Sequence, residues 1–464
     1  NGPGVCFIKE KSLGALYKVF RLIEQDQTPV LIFVTRNNFD LSAPVPEGIC
    51  FRNISNRYQT LKILRHALKS ALQNSSLSIV ACFGNILTQK LNQPVYKANL
   101  RPKSNQRLPL KKDVEKLAAI IDSAKKPVVL VDVENKSYAK PIELLVKRTK
   151  AVVALTQQSK GLINEKKSEY AGILGKFGHL ETLKALRESD LIILIGSGLA
   201  LNQNWFFSNR IWIIQIHNKA CEIGLNFEVK KALIGDFKPT LKQVLKKIKT
   251  KRGNRINRAF NQKVQKLKKG YLSEIDRLKE LYQVPIHPGF LIAKLSESLK
   301  KDALITLGPG INNYWFFKYF LAVDQKVIFS KNSDAGNFAI AAAITAKLNH
   351  PQRQVVCLIQ AADLLQSLAD FTTIVQEKLD VKIVVFNYAK IQKSLLEKDQ
   401  KNAELIFSAK VINPDFSKFA KNCGAEGYLI KIPRLLTISL KKAFNNPGPA
   451  ILDIQIDSKE YFSS

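Results

Sequence analysis

Two short runs place polar groups where a phosphate and a metal ion could be held. Residues 354–371 (QVVCLIQAADLLQSLADF) read as a strand, a tight turn and a helix. Residues 381–388 (VKIVVFNY) read as a second buried strand ending in a polar turn. In a doubly wound sheet, such strand ends and helix starts hold a diphosphate with its cation. The residues standing there are Gln360, Ala361, Ala362 and Asp363 after the first strand, and Asn387 and Tyr388 at the end of the second. A cation such as Mg²⁺ wants carboxylate or amide oxygens, and close approach of backbone to phosphate wants glycine. Ala361 has no side-chain oxygen, and Gln360 and Ala362 carry side chains where glycine gives clearance. Asp363 is expected to cap the helix start rather than to ligate a metal. The expectation is a cradle with its layout kept and its ligands replaced, with no catalytic residue and no metal ligand.

Other constellations are weaker. Gly196-Ser197-Gly198 follows an apolar strand but lacks the third glycine of a dinucleotide fingerprint. Gly308-Pro309-Gly310 precedes Asn312 and Asn313 and reads as a structural turn. His287 stands before Pro288 as a helix-entry cap, the five histidines have no metal-ligand spacing, and no Ser-His-Asp set can be argued.

The elements that must position these residues follow from alternation of short apolar runs with amphipathic stretches, the mark of parallel α/β sheets. Strands are expected near residues 5–8, 30–34 and 77–83, with helices over 13–24 and 57–73. Residues 96–112 read as a basic linker with two prolines. A second segment carries a helix from 113, strands around 127–133, 151–155, 190–196 and 211–216, and a closing helix over 237–249. Residues 250–284 read as a basic helical linker, and a third α/β segment follows. The fold class expected is three doubly wound parallel-sheet domains, over 1–95, 110–250 and 285–464.

Composition bounds the function. A 46% apolar fraction excludes the disordered class, and no apolar run is long enough to cross a bilayer. The six cysteines are scattered without a C-x-x-C pair and read as reduced thiols, expected to be buried at Cys6, Cys82 and Cys357. The sequence has no methionine, so its beginning is expected to be trimmed, processed or incomplete, and no secretory signal is visible. A cytoplasmic or organelle-matrix location is expected. Lys and Arg number 72 against 38 Asp and Glu, a net charge of +34, densest from Lys246 to Lys269. Such a run could meet an anionic partner, although a solvated lysine surface explains it more cheaply.

The third segment resembles the diphosphate-binding domain of thiamine-diphosphate enzymes, in the pyruvate oxidase and acetolactate synthase branch. The resemblance is carried by PIHP (285–288), ESLKKDALITLG, PQRQVVCLI, VQEKLDVKIVVFN and FNNPGPAILDIQID. The second resembles the central domain through KKPVVLVD, ESDLIILIG and IIQIH, and the first resembles the latter half of the pyrimidine-binding domain. The resemblance implies a Gly-Asp-Gly motif and a following Asn-Asn whose Asp and second Asn ligate Mg²⁺. Those positions fall on Ala361 and Tyr388, and 388 − 361 = 27 is the family's spacing. It places the ring-protonating glutamate upstream of Gly4–Ile8. It matches the family's Gly-Pro-Gly turn to residues 11–14 and its phosphate-side loop to residues 330–336. His217 stands where the family has an acidic residue. Its cofactors are thiamine diphosphate with Mg²⁺ and, in oxidases, FAD; neither is expected to be held here.

The resulting expectation is a non-catalytic homologue acting through assembly or regulation, as a homodimer, a homotetramer or a partner of an active paralogue. Two alternatives are an active 2-oxoacid decarboxylase or pyruvate oxidase with atypical ligands, and an anionic-polymer (nucleic acid) binder.

Overall fold

The computed structural model describes residues 4–9, 23, 28–36, 49–74, 76–83, 86, 107–175, 177–197, 210–225, 227–250, 253–330, 337–388, 390–392, 408–410 and 412–457. It divides into two units, residues 1–105 and 106–464.

The first unit is a parallel sheet of β1 (Gly4–Lys9), β2 (Val30–Arg36), β3 (Cys50–Ile54) and β4 (Leu77–Phe83), in the order β1-β2-β4-β3. Helix α1 (Thr60–Asn74) lays Ile63, Leu64, Ala67 and Leu68 against one face, the spacing of an apolar helical stripe. The strand β3 was not expected. Its residues are mostly half-exposed or exposed at a sheet edge, so it lacks the continuous apolar run of a central parallel strand. The helix expected over 13–24 lies outside the described residues apart from Ile23, as does most of the 96–112 linker.

The second unit holds two six-stranded parallel sheets. In the central one, α2 (Lys111–Ser123), β5 (Pro127–Asp132), α3 (Ala139–Thr149), β6 (Val152–Thr156), β7 (Tyr170–Leu174), α4 (Leu180–Arg187), β8 (Leu191–Gly196), β9 (Trp212–His217), β10 (Lys231–Ile234) and α5 (Phe237–Lys247) give the order β10-β9-β8-β5-β6-β7. Every residue of β5 and of β8 is buried, because helices cover both faces.

The basic stretch read as a linker is one helix, α6 (Arg255–Lys279). It is seated rather than free. Phe260 and Val264 enter the apolar cluster of the central sheet, and Tyr271, Ile275 and Leu278 enter a cluster that runs on into the third sheet. Apolar side chains every three or four residues between the lysines were the signal for this seat.

The third sheet is built from α7 (Pro288–Ser298), β11 (Leu304–Leu307), α8 (Ile311–Tyr319), β12 (Lys326–Phe329), α9 (Phe338–Asn349), β13 (Val355–Gln360), α10 (Ala361–Gln366), α11 (Leu368–Gln376) and β14 (Val381–Tyr388). A small antiparallel pair, β15 (Lys390–Gln392) and β16 (Ser408–Lys410), precedes α12 (Phe416–Asn422), β17 (Glu426–Ile430), α13 (Pro433–Asn445) and β18 (Ala450–Ile456). The strand order is β12-β11-β13-β14-β18-β17, all parallel. Three parallel α/β sheets are therefore present, as the alternation of short apolar runs and amphipathic stretches implies.

All six cysteines are free. Cys82 and Cys357 are buried as expected, whereas Cys6 is exposed because β1 is an edge strand. Burial pushes the Cys357 thiol up to about 12, which makes it inert at neutral pH.

Candidate functional site at the strand-order reversal of the third sheet

After β11 the chain steps outward to β12 and then crosses back to β13 on the other side. The strand order reverses between β11 and β13, and the crevice beyond their carboxyl ends is where open α/β sheets take ligands. Two turns meet there: Gly308-Pro309-Gly310 after β11, and Gln360-Ala361-Ala362 after β13.

The register sets their height. Gln360 pairs with Phe386, so β13 ends beside β14 two residues before Tyr388. Gln360 is the cap residue of α10, with extended backbone and no side-chain capping bond. Its side chain lies on Gly310 instead. A methyl group built on Gly310 would fall 2.5 Å from Gln360 Nε2 and 2.8 Å from its Cδ. Gly310 also has φ of 108°, so glycine is required there by conformation and by this close approach. The Gln360 amide nitrogen is buried and finds no acceptor among the described residues, and the side-chain oxygens of Asn312 and Asn313 are likewise buried without a donor. Asn312 Nδ2 donates to the Gly308 carbonyl at 3.2 Å and holds the turn. The GPG turn is thus structural in its hydrogen bonding and packs against the Gln360 side chain.

Ala361 is the first residue of α10 and is buried. Asp363 is the third residue of that helix, so the N-cap role expected for it is corrected: the cap is Gln360. Burial pushes the Asp363 carboxyl up to about 7. That lies above the unfolded value of about 3.9, so the native state keeps the proton longer than the unfolded chain does. The associated stability is fully present below about pH 4 and is lost as pH rises towards 7. Asp363→Asn is expected to match wild type at pH 4 and to be more stable by about 4 kcal/mol at pH 8, read by chemical denaturation. An equal difference at both pH values would contradict the assignment.

Asn387 is held by the fold. Its Nδ2 donates to Asp453 Oδ1 at 2.7 Å, and its Oδ1 accepts from Asn413 Nδ2 at 2.7 Å. Asp453 Oδ2 accepts from the Phe416 backbone N–H at 3.2 Å, so the set ties the end of β14 and the middle of β18 to the start of α12. Desolvation raises the Asp453 carboxyl above its ordinary range, against the Asn387 bond, which lowers it. An acid inside the apolar run of the final strand (AILDIQI) was the sequence signal for this network, and it was not read. The neighbouring Tyr388 is buried and belongs to the main apolar cluster.

Residues 114–244 match the thiamine pyrophosphate enzyme central domain, and residues 308–454 match the thiamine pyrophosphate enzyme C-terminal TPP binding domain. Together they take in more than half of the sequence. The chain belongs to the thiamine pyrophosphate enzyme family. Among its relatives in this family is a Bacillus subtilis protein provisionally named as thiamine pyrophosphate-containing, YdaP. It is 23% identical over 86% of this chain and 68% of its own length. The acetolactate synthase large subunit of Cyanidium caldarium is 24% identical over 75% of this chain and 60% of its own length. Isozyme 1 of the Escherichia coli acetolactate synthase large subunit is 23% identical over 74% and 60%. The chain thus spans about three fifths to two thirds of these relatives.

Ala361 is buried and has no side-chain oxygen, and Tyr388 packs in the core. The loops matched to 11–14 and, from residue 331, to 330–336 lie outside the described residues, as does Gly198. Gly196 has a packing reason to be glycine: a methyl there would fall 2.2 Å from the Asp132 carbonyl, at φ of 114°. His287 caps α7, its Nδ1 accepting from the Gly289 backbone at 3.0 Å. His217 is buried, which lowers its pKa, and its Nδ1 accepts from the Lys219 backbone.

Part of the basic run Lys246 to Lys269 is engaged by the chain itself, in two surface ion pairs and one buried lysine. Lys247 pairs with Glu115 at 2.7 Å, Lys263 pairs with Glu188 at 2.6 Å, and Lys268 donates to the carbonyls of Glu165 and Lys167. Among the described residues, no helix is long and apolar enough to cross a membrane.

Proposed function

We propose that this chain is a non-catalytic homologue of a thiamine-diphosphate-dependent pyruvate oxidase or acetolactate synthase, acting through assembly or regulation. The observation that carries this reading is the Gln360 side chain lying on Gly310 at the strand-order reversal, followed by Ala361. A diphosphate with its cation needs free backbone approach and hard oxygen donors at this point. Gln360 and Ala362 supply side chains in place of clearance, Ala361 supplies no oxygen, and Tyr388 supplies an aromatic ring. Asp363 stands in the first turn of α10, two residues beyond the position that the family's metal-binding Asp takes in this reading. The residues present do not fit thiamine diphosphate and Mg²⁺, and we derive no step through them; FAD is likewise not part of this reading.

The partner in this reading is a second copy of the chain, in a homodimer or homotetramer, or an active paralogue. A cytoplasmic location fits its six free cysteines. Pyruvate consumption with added thiamine diphosphate and Mg²⁺ is expected to stay more than a thousandfold below the about 10 s⁻¹ typical of enzymes. Turnover above about 0.1 s⁻¹, lost on chelation, would overturn the proposal.

A further inference from the structure

A cavity of about 590 Å³ opens between α3 and the amino-terminal ends of β6 and β7. Its size falls in the range of small-molecule sites. It lies at the end of the central sheet opposite the strand carboxyl termini, where dinucleotide sites of such sheets are found. The floor is apolar: Ile142 and Val146 from α3, Val153 from β6, Ile163, and the fully buried Tyr170 of β7. The exposed Leu144 forms part of the wall.

The rim is cationic. Lys140, Lys147, Lys150 and Lys167 surround the opening, against Glu143 and Glu169. Lys167 is bound to Glu143 at 2.8 Å, so that pair is neutral. Lys140, Lys147 and Lys150 have no ion pair among the described residues. Lys150 is fixed in place: it has φ of 56° after α3, and its carbonyl accepts from Asn257 and Asn261 of α6, each at 3.1 Å. With that pair set aside, Lys140, Lys147 and Lys150 stand against Glu169, so the apolar hollow is bordered by an excess of positive charge. Cations of like sign crowded around an opening repel one another, and a bound anion relieves that repulsion.

We infer that this cavity binds a small amphipathic organic anion, with an apolar or aromatic body on the floor and a phosphate or carboxylate head among the lysines. A nucleotide and a fatty acid share that chemistry. Calorimetric titration of the whole chain with ATP and with decanoate separates the two sources, and adenosine, decanol and inorganic phosphate isolate the body and the head. At least one of the two anions is expected to bind with Kd below about 1 mM, and its neutral counterpart and inorganic phosphate at least about tenfold more weakly. Lys140→Glu/Lys147→Glu, both at exposed positions, should weaken binding about tenfold or more at unchanged melting temperature. Leu144→Ser, which alters the wall without altering charge, should weaken it about threefold. Absence of binding by both anions below about 1 mM overturns the inference. So does wild-type affinity in the charge-reversed variant, or equal affinity for the neutral counterpart or for inorganic phosphate.

Discussion

Lys160→Met is expected to lower the unfolding free energy by about 3–5 kcal/mol at pH 7, the cost of breaking a buried ion pair from one side. Lys160 and Glu165 sit in the loop between β6 and β7, with side chains 1% and 0% exposed and Nζ–Oε2 at 2.6 Å. The pair fastens this loop to the third sheet's layer. Lys160 also donates to the Phe320 carbonyl at the end of α8, and Glu165 accepts from the backbone of Gly161 at 2.8 Å and of Ala322 at 3.3 Å. Burial lowers the Lys160 pKa, with Glu165 acting in the opposite direction. Removing the ammonium leaves a carboxylate in the core beside the backbone donors of Gly161 and Ala322. Lys160→Met/Glu165→Leu removes both charges and should recover at least half of the loss, because replacing a buried pair by apolar groups is often close to neutral. Urea denaturation reads both variants; a loss below about 1 kcal/mol for the single change would mean that the pair does not hold the two sheets together.

The second large effect concerns ligand binding. Gln360→Gly/Ala361→Asp/Ala362→Gly/Tyr388→Asn would give clearance beside Gly310 and two oxygen donors at the ends of β13 and β14. Thiamine diphosphate binding that requires Mg²⁺ is expected to appear at about 100 μM or tighter, a gain of at least about a hundredfold over the wild-type chain. Loss of the buried Tyr388 ring costs about 3–5 kcal/mol, so the triple variant that keeps Tyr388 serves as the folded control and should gain a smaller part of the affinity. If the variants bind no better than wild type, the four side chains are not what excludes the cofactor.

The layout of this site was legible in the chain because its strands are buried on both faces. β13 is an apolar run up to Gln360 and β14 an apolar run broken near its start by Lys382, and the polar residues that end them mark the strand ends within a residue or two. The contact that matters was not legible. Gln360 meets Gly310 fifty residues away, and only the reversal of strand order between β11 and β13 brings their turns together. Asp363 was misread for a local reason: an acid near a helix start suits the cap or the first turn equally, and only the backbone at Gln360 decides between them. The strands β7, β10 and β12 were missed because four or five residues carry too little pattern. Lys160 and Glu165 look like loop charges in KGLINE, and their burial depends on the arrival of Phe320 and Ala322 from the other sheet.

Titration of the wild-type chain with thiamine diphosphate in the presence and absence of Mg²⁺ tests the non-catalytic reading most directly. Heat changes indistinguishable from dilution up to about 1 mM ligand, with and without the metal, are the predicted result. Binding at about 10 μM or tighter that vanishes on removing Mg²⁺ would contradict it.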